Sequence, residues 1–130
     1  MIEIVQPEGW AKPKGYSNGI LATGRSLYVG GQIGWNSQCV FETLDLVAQF
    51  RQTLQNVLDV VHTAGGNASH IVQMTWYLTD KAEYASRLKE IGEVYRALMG
   101  RHYPAMAAVE VKALVEPEAR IEIQAIAVLP

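Results

Sequence analysis

Residues 119–128, ARIEIQAIAV, form the predicted strand around which the rest of this chain is organised. Apolar side chains alternate along it, and its isoleucines favour extended backbone. One face carries Ile121, Ile123, Ala125 and Ala127, and the other carries Glu122, Gln124, Ile126 and Val128. The carboxylate of Glu122 stands in the middle of an apolar strand. It is therefore exposed to solvent, paired with a cation such as Lys112 or Arg120, or held in a pocket for chemistry.

The composition is typical of an ordered, soluble protein. Hydrophobic residues make up 49% and charged residues 18%, and 130 residues suit one domain with the bounds 1–130. The net charge is −2 without a basic run, so we expect no nucleic-acid partner, because phosphate binding needs clustered cations. No apolar run approaches the roughly 20 residues that span a bilayer, and we see no signal peptide. We therefore expect no membrane association and a cytoplasmic location.

The cysteine and histidine content predicts neither a disulfide nor a metal site. Cys39 is the only cysteine, so no intrachain disulfide can form, which favours a reducing compartment. His62 and His70 have no companion at the spacing of metal ligands. We assign no metal.

Hydrophobic periodicity predicts an alternation of strands and two long helices. The predicted elements are a strand at 2–5, a hairpin of 16–22 with 26–29 that turns at Gly24, a helix at 43–64, a strand at 71–78, a helix between Asp80 and Gly100, a strand at 105–113 and the closing strand at 119–128. Asp80 with Glu83 resembles a capping box. Leu44 belongs to the predicted apolar stripe of the first helix, whereas Gln49 lies outside it.

This order predicts an α+β protein with both helices on one face of a single mixed sheet. The second face then carries either Met106, Ala108, Glu122 and Gln124 or the opposite set. A sheet with a largely apolar uncovered face usually associates with other copies. We therefore expect self-association.

Eight short stretches then occur in a characteristic order. They are KGYS at 14–17, YVGGQ at 28–32, QTLQNVL at 52–58 with AGG at 64–66, VQMTWYLTD at 72–80, EVY at 93–95, YPA at 103–105 and IEIQAIA at 121–127. Together they resemble the Rid family, the YjgF-like reactive intermediate deaminases, over nearly the whole chain. The resemblance implies a chorismate-mutase-like α+β fold and a homotrimer with a central barrel and three clefts between subunits.

The resemblance also implies a chemistry. Deaminases of this type hydrolyse imines and enamines, such as 2-aminoacrylate, to keto acids and ammonia without a metal or organic cofactor. An arginine two residues after a proline pairs with the substrate carboxylate, and a glutamate of the last strand handles water. Here the glutamate is Glu122 and a cleft tyrosine is Tyr16. Met106 replaces the arginine, Gly92 replaces an asparagine, and Gly30 stands where a serine is expected.

The leading hypothesis is therefore a Rid-like hydrolase, or deaminase, that acts on a small imine, enamine or related metabolite. Water is activated by Glu122 in an intersubunit cleft whose substrate-binding residues are Tyr16, Gly31, Trp35 and Met106. The alternative is a non-catalytic, small-ligand-binding homotrimer that has lost deaminase activity with the arginine. The choice between enzyme and binding protein stays open at this point.

Two further readings stay open. Trp35 either stacks on a planar ligand or is a packed aromatic residue. Arg101 and His102 either supply a substitute cation in the cleft or form an exposed pair at a helix end.

Overall fold

The computed structural model describes all 130 residues. Its strands and helices are, in order, β1 (Ile2–Val5), β2 (Gly19–Ala22), β3 (Arg25–Ile33), α1 (Leu46–Thr63), a 3₁₀ turn (Ala68–His70), β4 (Ile71–Leu78), α2 (Lys81–Ser86), α3 (Leu88–Met99), β5 (Ala105–Glu110) and β6 (Ile121–Leu129). None of the helices has the length and apolar character needed to cross a bilayer.

The closing strand is at the centre of the main sheet. The strand order is β3-β6-β4-β5, with β6 antiparallel to both of its neighbours and β5 parallel to β4. The predicted alternation of β6 is confirmed. Ile121, Ile123, Ala125 and Ala127 are buried, and the four residues between and after them are not.

The hairpin predicted at Gly24 is wrong. β2 pairs with β1 in a separate two-stranded sheet, and β3 pairs with β6 about a hundred residues later in the chain. Gly24 does form a turn, with φ of 145°, but a β-carbon there would lie 3.0 Å from Val128 Cγ1. The glycine therefore permits close approach to β6 and not a hairpin.

The second predicted helix is interrupted. α2 ends at Ser86 and α3 begins at Leu88, because Arg87 leaves the helical region with φ of −118°. Asp80 caps α2 by accepting from the Glu83 N–H, but Glu83 does not complete a capping box, because its carboxylate binds Arg120 at 2.6 Å. Gly100 ends α3 as predicted.

A buried amide joins α1 to the segment before β6. Gln49 is fully buried, although the sequence pattern placed it outside the apolar stripe. Its Nε2 donates to the carbonyls of Thr43 and Glu118 at 3.0 and 2.8 Å, and its Oε1 accepts from the Arg120 N–H at 2.8 Å. Leu44, which the pattern placed in the stripe, lies before the helix and is exposed. The start of β6 is thus held by a side chain of α1.

The helices cover one face of the sheet and leave the other, here called the open face, uncovered. The open face carries Tyr28, Thr75, Tyr77, Ala107, Val109, Glu122, Gln124, Ile126 and Val128. Met106 is not on it, since it pairs with the buried Met74 on the covered face. The prediction that Met106 shares a face with Glu122 is therefore wrong. Tyr28 is 74% exposed, so the open face presents apolar surface to solvent.

Candidate functional site

Glu122 lies against a bulge in the neighbouring strand. The pairing of β3 with β6 shifts between Val29 and Gln32, where one extra residue is inserted opposite Gln124. A β-carbon on Gly31 would collide with Glu122 Oε2 and lie 2.8 Å from its Cδ. The carboxylate therefore occupies the space that a side chain at position 31 would need.

No residue of the chain neutralises this carboxylate. The three ion pairs join Arg87 with Asp45, Arg87 with Glu90, and Arg120 with Glu83. Neither Lys112 nor Arg120 pairs with Glu122, so the interpretation of Glu122 as a structural ion-pair partner is wrong. Glu122 is half-buried, and next to it on the open face Tyr77 donates from its Oη to Gln124 Oε1 at 2.9 Å. A half-buried carboxylate without a partner is available to bind a proton or orient water.

Met106 lies in a different place, a groove of about 330 Å³ between the helices and the β5 edge of the sheet. The groove is lined by Lys14, Gly15, Trp76, Tyr84, Leu88, Ile91, Gly92, Tyr95, Arg96, Tyr103 and Met106. This volume is in the range of small-molecule sites, about 300 to 1,000 Å³. Met106 contributes an apolar, adaptable wall.

Tyr16 belongs to the loop that closes one side of this groove. The next residue, Ser17, forms an isolated parallel bridge with Ala105 and donates its N–H to the Pro104 carbonyl at 3.0 Å. Lys14 and Gly15 of the same loop line the groove directly. The structure therefore brings Tyr16 close to the start of β5.

Trp35 lies neither against Glu122 nor in the groove beside Met106. It follows the end of β3 and packs on Phe41, with ring centroids 5.8 Å apart and planes inclined by 48°. Its carbonyl accepts from Asn56 Nδ2 at 2.8 Å, and its side chain lines a shallow depression with Gln32 and Asn36. Within one chain Trp35 has the geometry of a packed aromatic residue.

The predicted site residues are thus divided within one chain. Gly31 and Glu122 meet on the open face, whereas Met106 faces the helices in a groove at the opposite edge of the sheet. A cleft that contains both groups needs two copies of the chain. This separation agrees with the intersubunit cleft that the family resemblance implies, and the membership of the site stays a prediction.

Sequence reasoning also missed the aromatic and cationic lining of the groove. Trp76 is T-shaped to Tyr84, with centroids 6.3 Å apart, and Tyr95 stacks on Tyr103 at 5.5 Å. Arg96 is exposed to solvent on α3 and is also a lining residue of the groove. A signal was available in the spacing of Gly92 and Arg96, since positions i and i+4 are neighbours on a helix.

The two candidate substitute cations do not line the groove. Arg101 is exposed beyond the end of α3. His102 Nε2 lies 2.6 Å from the Ile71 carbonyl, and the His102 carbonyl accepts from Tyr95 Oη. His102 therefore ties α3 to β4 and has no place in the groove.

Comparison with known proteins assigns the family. Residues 10–129 match the family model described as endoribonuclease L-PSP. The chain belongs to this family, which is the Rid or YjgF family. The sequence is 34% identical to the 2-iminobutanoate/2-iminopropanoate deaminase of Escherichia coli over 108 residues, 81% of this chain and 80% of that protein.

Solved structures of the Rid family share the fold. A Rid family protein of Yersinia pestis, YyfB, superposes with a TM-score of 0.88 at 29% identity and covers 98% of both chains. TdcF of Escherichia coli, solved with bound serine, gives a TM-score of 0.71 at 30% identity, covering 98% of this chain and 99% of that one. The predicted family and α+β fold are confirmed.

Two of this Rid chain's substitutions lie in the same groove. Met106 replaces the arginine that the resemblance implies, and Gly92 replaces the asparagine. Both line the groove beside Tyr84 and Arg96. These two departures lie in the half of the candidate site that contains Met106, whereas the third, Gly30, adjoins Gly31 in the half that contains Glu122.

Proposed function

We propose that the chain hydrolyses an imine or enamine to a carbonyl compound and ammonia, with Glu122 activating the water. The observation that carries this proposal is the Glu122 carboxylate, half-buried, unpaired and held against Gly31 at a bulge. The likeness to the 2-iminobutanoate/2-iminopropanoate deaminase supports the reaction class.

The proposed chemistry needs one group that accepts and returns a proton. Glu122 takes a proton from water as the water oxygen bonds to the imine carbon, and the π electrons of the C=N bond move to nitrogen. The carboxyl group returns the proton to nitrogen. In the second step the hydroxyl proton passes to the amine through Glu122, the C–N bond breaks, and ammonia leaves as the carbonyl forms.

The proposed active site lies between copies of the chain. The groove around Met106 supplies a binding wall, and Gly31 with Glu122 of a neighbouring copy supplies the reactive wall. The exposed apolar side chains of the open face support this association, because burying them against another copy is favourable. We propose a homotrimer, as the family resemblance implies.

Tyr28→Glu is expected to disrupt the assembly. Tyr28 is the most exposed aromatic residue of the open face, and a carboxylate placed there would lose its hydration when the copies associate. Light scattering should show three times the monomer mass for the wild type and a lower mass for the variant. Val115→Glu, at a fully exposed loop residue off the sheet, should keep the wild-type mass. A wild-type monomer would contradict the intersubunit site.

The reaction is tested by ammonia release. A panel of imines, generated freshly from amino acids with small, branched and aromatic side chains, is mixed with the wild-type protein and with buffer alone. We expect faster ammonia release with the protein for at least one member of the panel. Release at the buffer rate for every member would refute the proposal.

The second candidate function is ligand binding without turnover. Met106 favours it, since methionine cannot pair with a substrate carboxylate as an arginine does. Calorimetric binding of the carbonyl products, together with ammonia release at the buffer rate, would establish this function instead.

A further inference from the structure

The groove beside Met106 contains a cation without a partner. Arg96 and Lys14 are the only charged residues of its lining, and no acidic residue belongs to it. None of the three ion pairs of the chain involves Arg96. Both residues are exposed to solvent, and the arginine, which has no ion-pair partner, is free to bind an anion.

Gly92 gives the Arg96 guanidinium its position. Arg96 follows Gly92 by one helical turn of α3, and a β-carbon on Gly92 would lie 3.2 Å from Arg96 Nη1 and 3.9 Å from Cζ. The guanidinium thus lies directly over the glycine, closer than it could usually approach a residue that has a β-carbon. A larger residue at position 92 would push the guanidinium aside.

The rest of the groove is mainly aromatic and apolar. Trp76 is 4% exposed, and its buried indole Nε1–H has no hydrogen-bond partner. Such a buried donor is unfavourable unless it finds an acceptor. The Tyr84 hydroxyl can also donate, since a tyrosine is protonated at neutral pH and burial raises the pKa of this one further. An apolar body fits the aromatic walls, and an acceptor atom fits the Tyr84 hydroxyl.

We propose that Arg96 is the anion anchor of this groove and that the groove binds a carboxylate attached to an aromatic or bulky apolar side chain. This inference rests on the proposed function, which it narrows to the imines of aromatic or bulky apolar 2-keto acids. The guanidinium on α3 takes the role that an arginine at position 106 would have. Because Met106 is apolar, the wall that it forms is suited to the side chain of the ligand and not to its carboxylate.

The test uses probes that cannot react. Binding of 3-phenylpropanoate, its neutral isostere 3-phenylpropanamide, and propanoate is measured by calorimetry on the wild-type protein. We expect 3-phenylpropanoate to bind at least ten times more tightly than either of the other two. Equal affinity for 3-phenylpropanoate and its amide would overturn the anion anchor. Equal affinity for 3-phenylpropanoate and propanoate would overturn the preference for an aromatic or bulky apolar side chain. No binding of 3-phenylpropanoate would overturn both.

Variants then assign the anchor. Arg96→Gln should reduce the affinity for 3-phenylpropanoate about tenfold and leave that for the amide unchanged. Arg101→Gln, which removes an exposed cation outside the groove, should bind all three probes as the wild type does. A preference for the acid that persists in Arg96→Gln, or that is lost only in Lys14→Gln, would overturn the assignment to Arg96.

The binding experiments test the anion anchor separately from the proposed hydrolysis. If no imine is hydrolysed but acid binding depends on Arg96, the proposed reaction fails and the anchor stands. If imines are hydrolysed and Arg96→Gln binds the acid normally, the reaction stands and the anchor fails. Thermal unfolding of each variant shows whether it is folded.

Discussion

Glu122→Gln is expected to lower kcat/KM for imine hydrolysis about a hundredfold, because the amide cannot accept the proton of water. The substitution is nearly isosteric, and no ion pair is lost, since none of the three in the chain involves Glu122. The loss should therefore appear in ammonia release, while the oligomeric mass and the unfolding temperature stay close to those of the wild type. Unchanged turnover in a folded variant would exclude Glu122 as the base.

Two neighbouring glycines provide a steric version of the same test. Gly31→Ala would displace the Glu122 carboxylate, whose Cδ lies 2.8 Å from the position of the new β-carbon. Gly30→Ala meets no heavy atom within 4 Å. We expect a loss of about tenfold or more for Gly31→Ala and a change of less than about twofold for Gly30→Ala. Equal effects of the two substitutions would show that the position of the carboxylate is unimportant.

Gln49→Ala is expected to lower the free energy of unfolding by about 3 kcal/mol. The substitution removes a fully buried side chain and leaves the carbonyls of Thr43 and Glu118 and the N–H of Arg120 without their partner. For a chain of this size the midpoint of thermal unfolding should fall by about 10 °C. Chemical denaturation followed by circular dichroism measures the same loss.

The matched control is a glutamine of the same helix on its outer side. Gln55 donates only to Asp59, four residues later, at 2.8 Å. Such a pair contributes about 0.2 to 0.5 kcal/mol, so Gln55→Ala should change stability by no more than that. If Gln49→Ala were as mild as Gln55→Ala, the buried amide would not be what holds the segment before β6.

The sequence was sufficient to predict those features whose local residue pattern allows only one structure. The alternation of β6, the capping of α2 by Asp80 and the end of α3 at Gly100 were all predicted, because each depends on local side-chain chemistry. Glu122 was found for the same reason, as a carboxylate that interrupts an apolar strand. These features need no knowledge of what lies across the sheet.

The remaining features depend on contacts between distant residues. The partner of β3 is β6 and not the adjacent β2, and nothing local distinguishes the two pairings. The sequence pattern places Gln49 on the solvent side of α1, but in the fold the segments that contain Thr43 and Glu118 cover it. The separation of Met106 from Glu122 likewise follows from strand register, since a shift of one residue reverses the face.

The position of β6 has a consequence for the order of events during synthesis. β6 (residues 121–129) lies between β3 and β4 in the sheet, but it is synthesised after both of them. A nascent chain that stops before Ile121 has β3 without a neighbour in the main sheet, and α1 lacks the contacts that it makes with β6. Folding of the sheet must therefore wait until this last segment leaves the ribosome, and until then the exposed edges of β3 and β4 are open to chaperones.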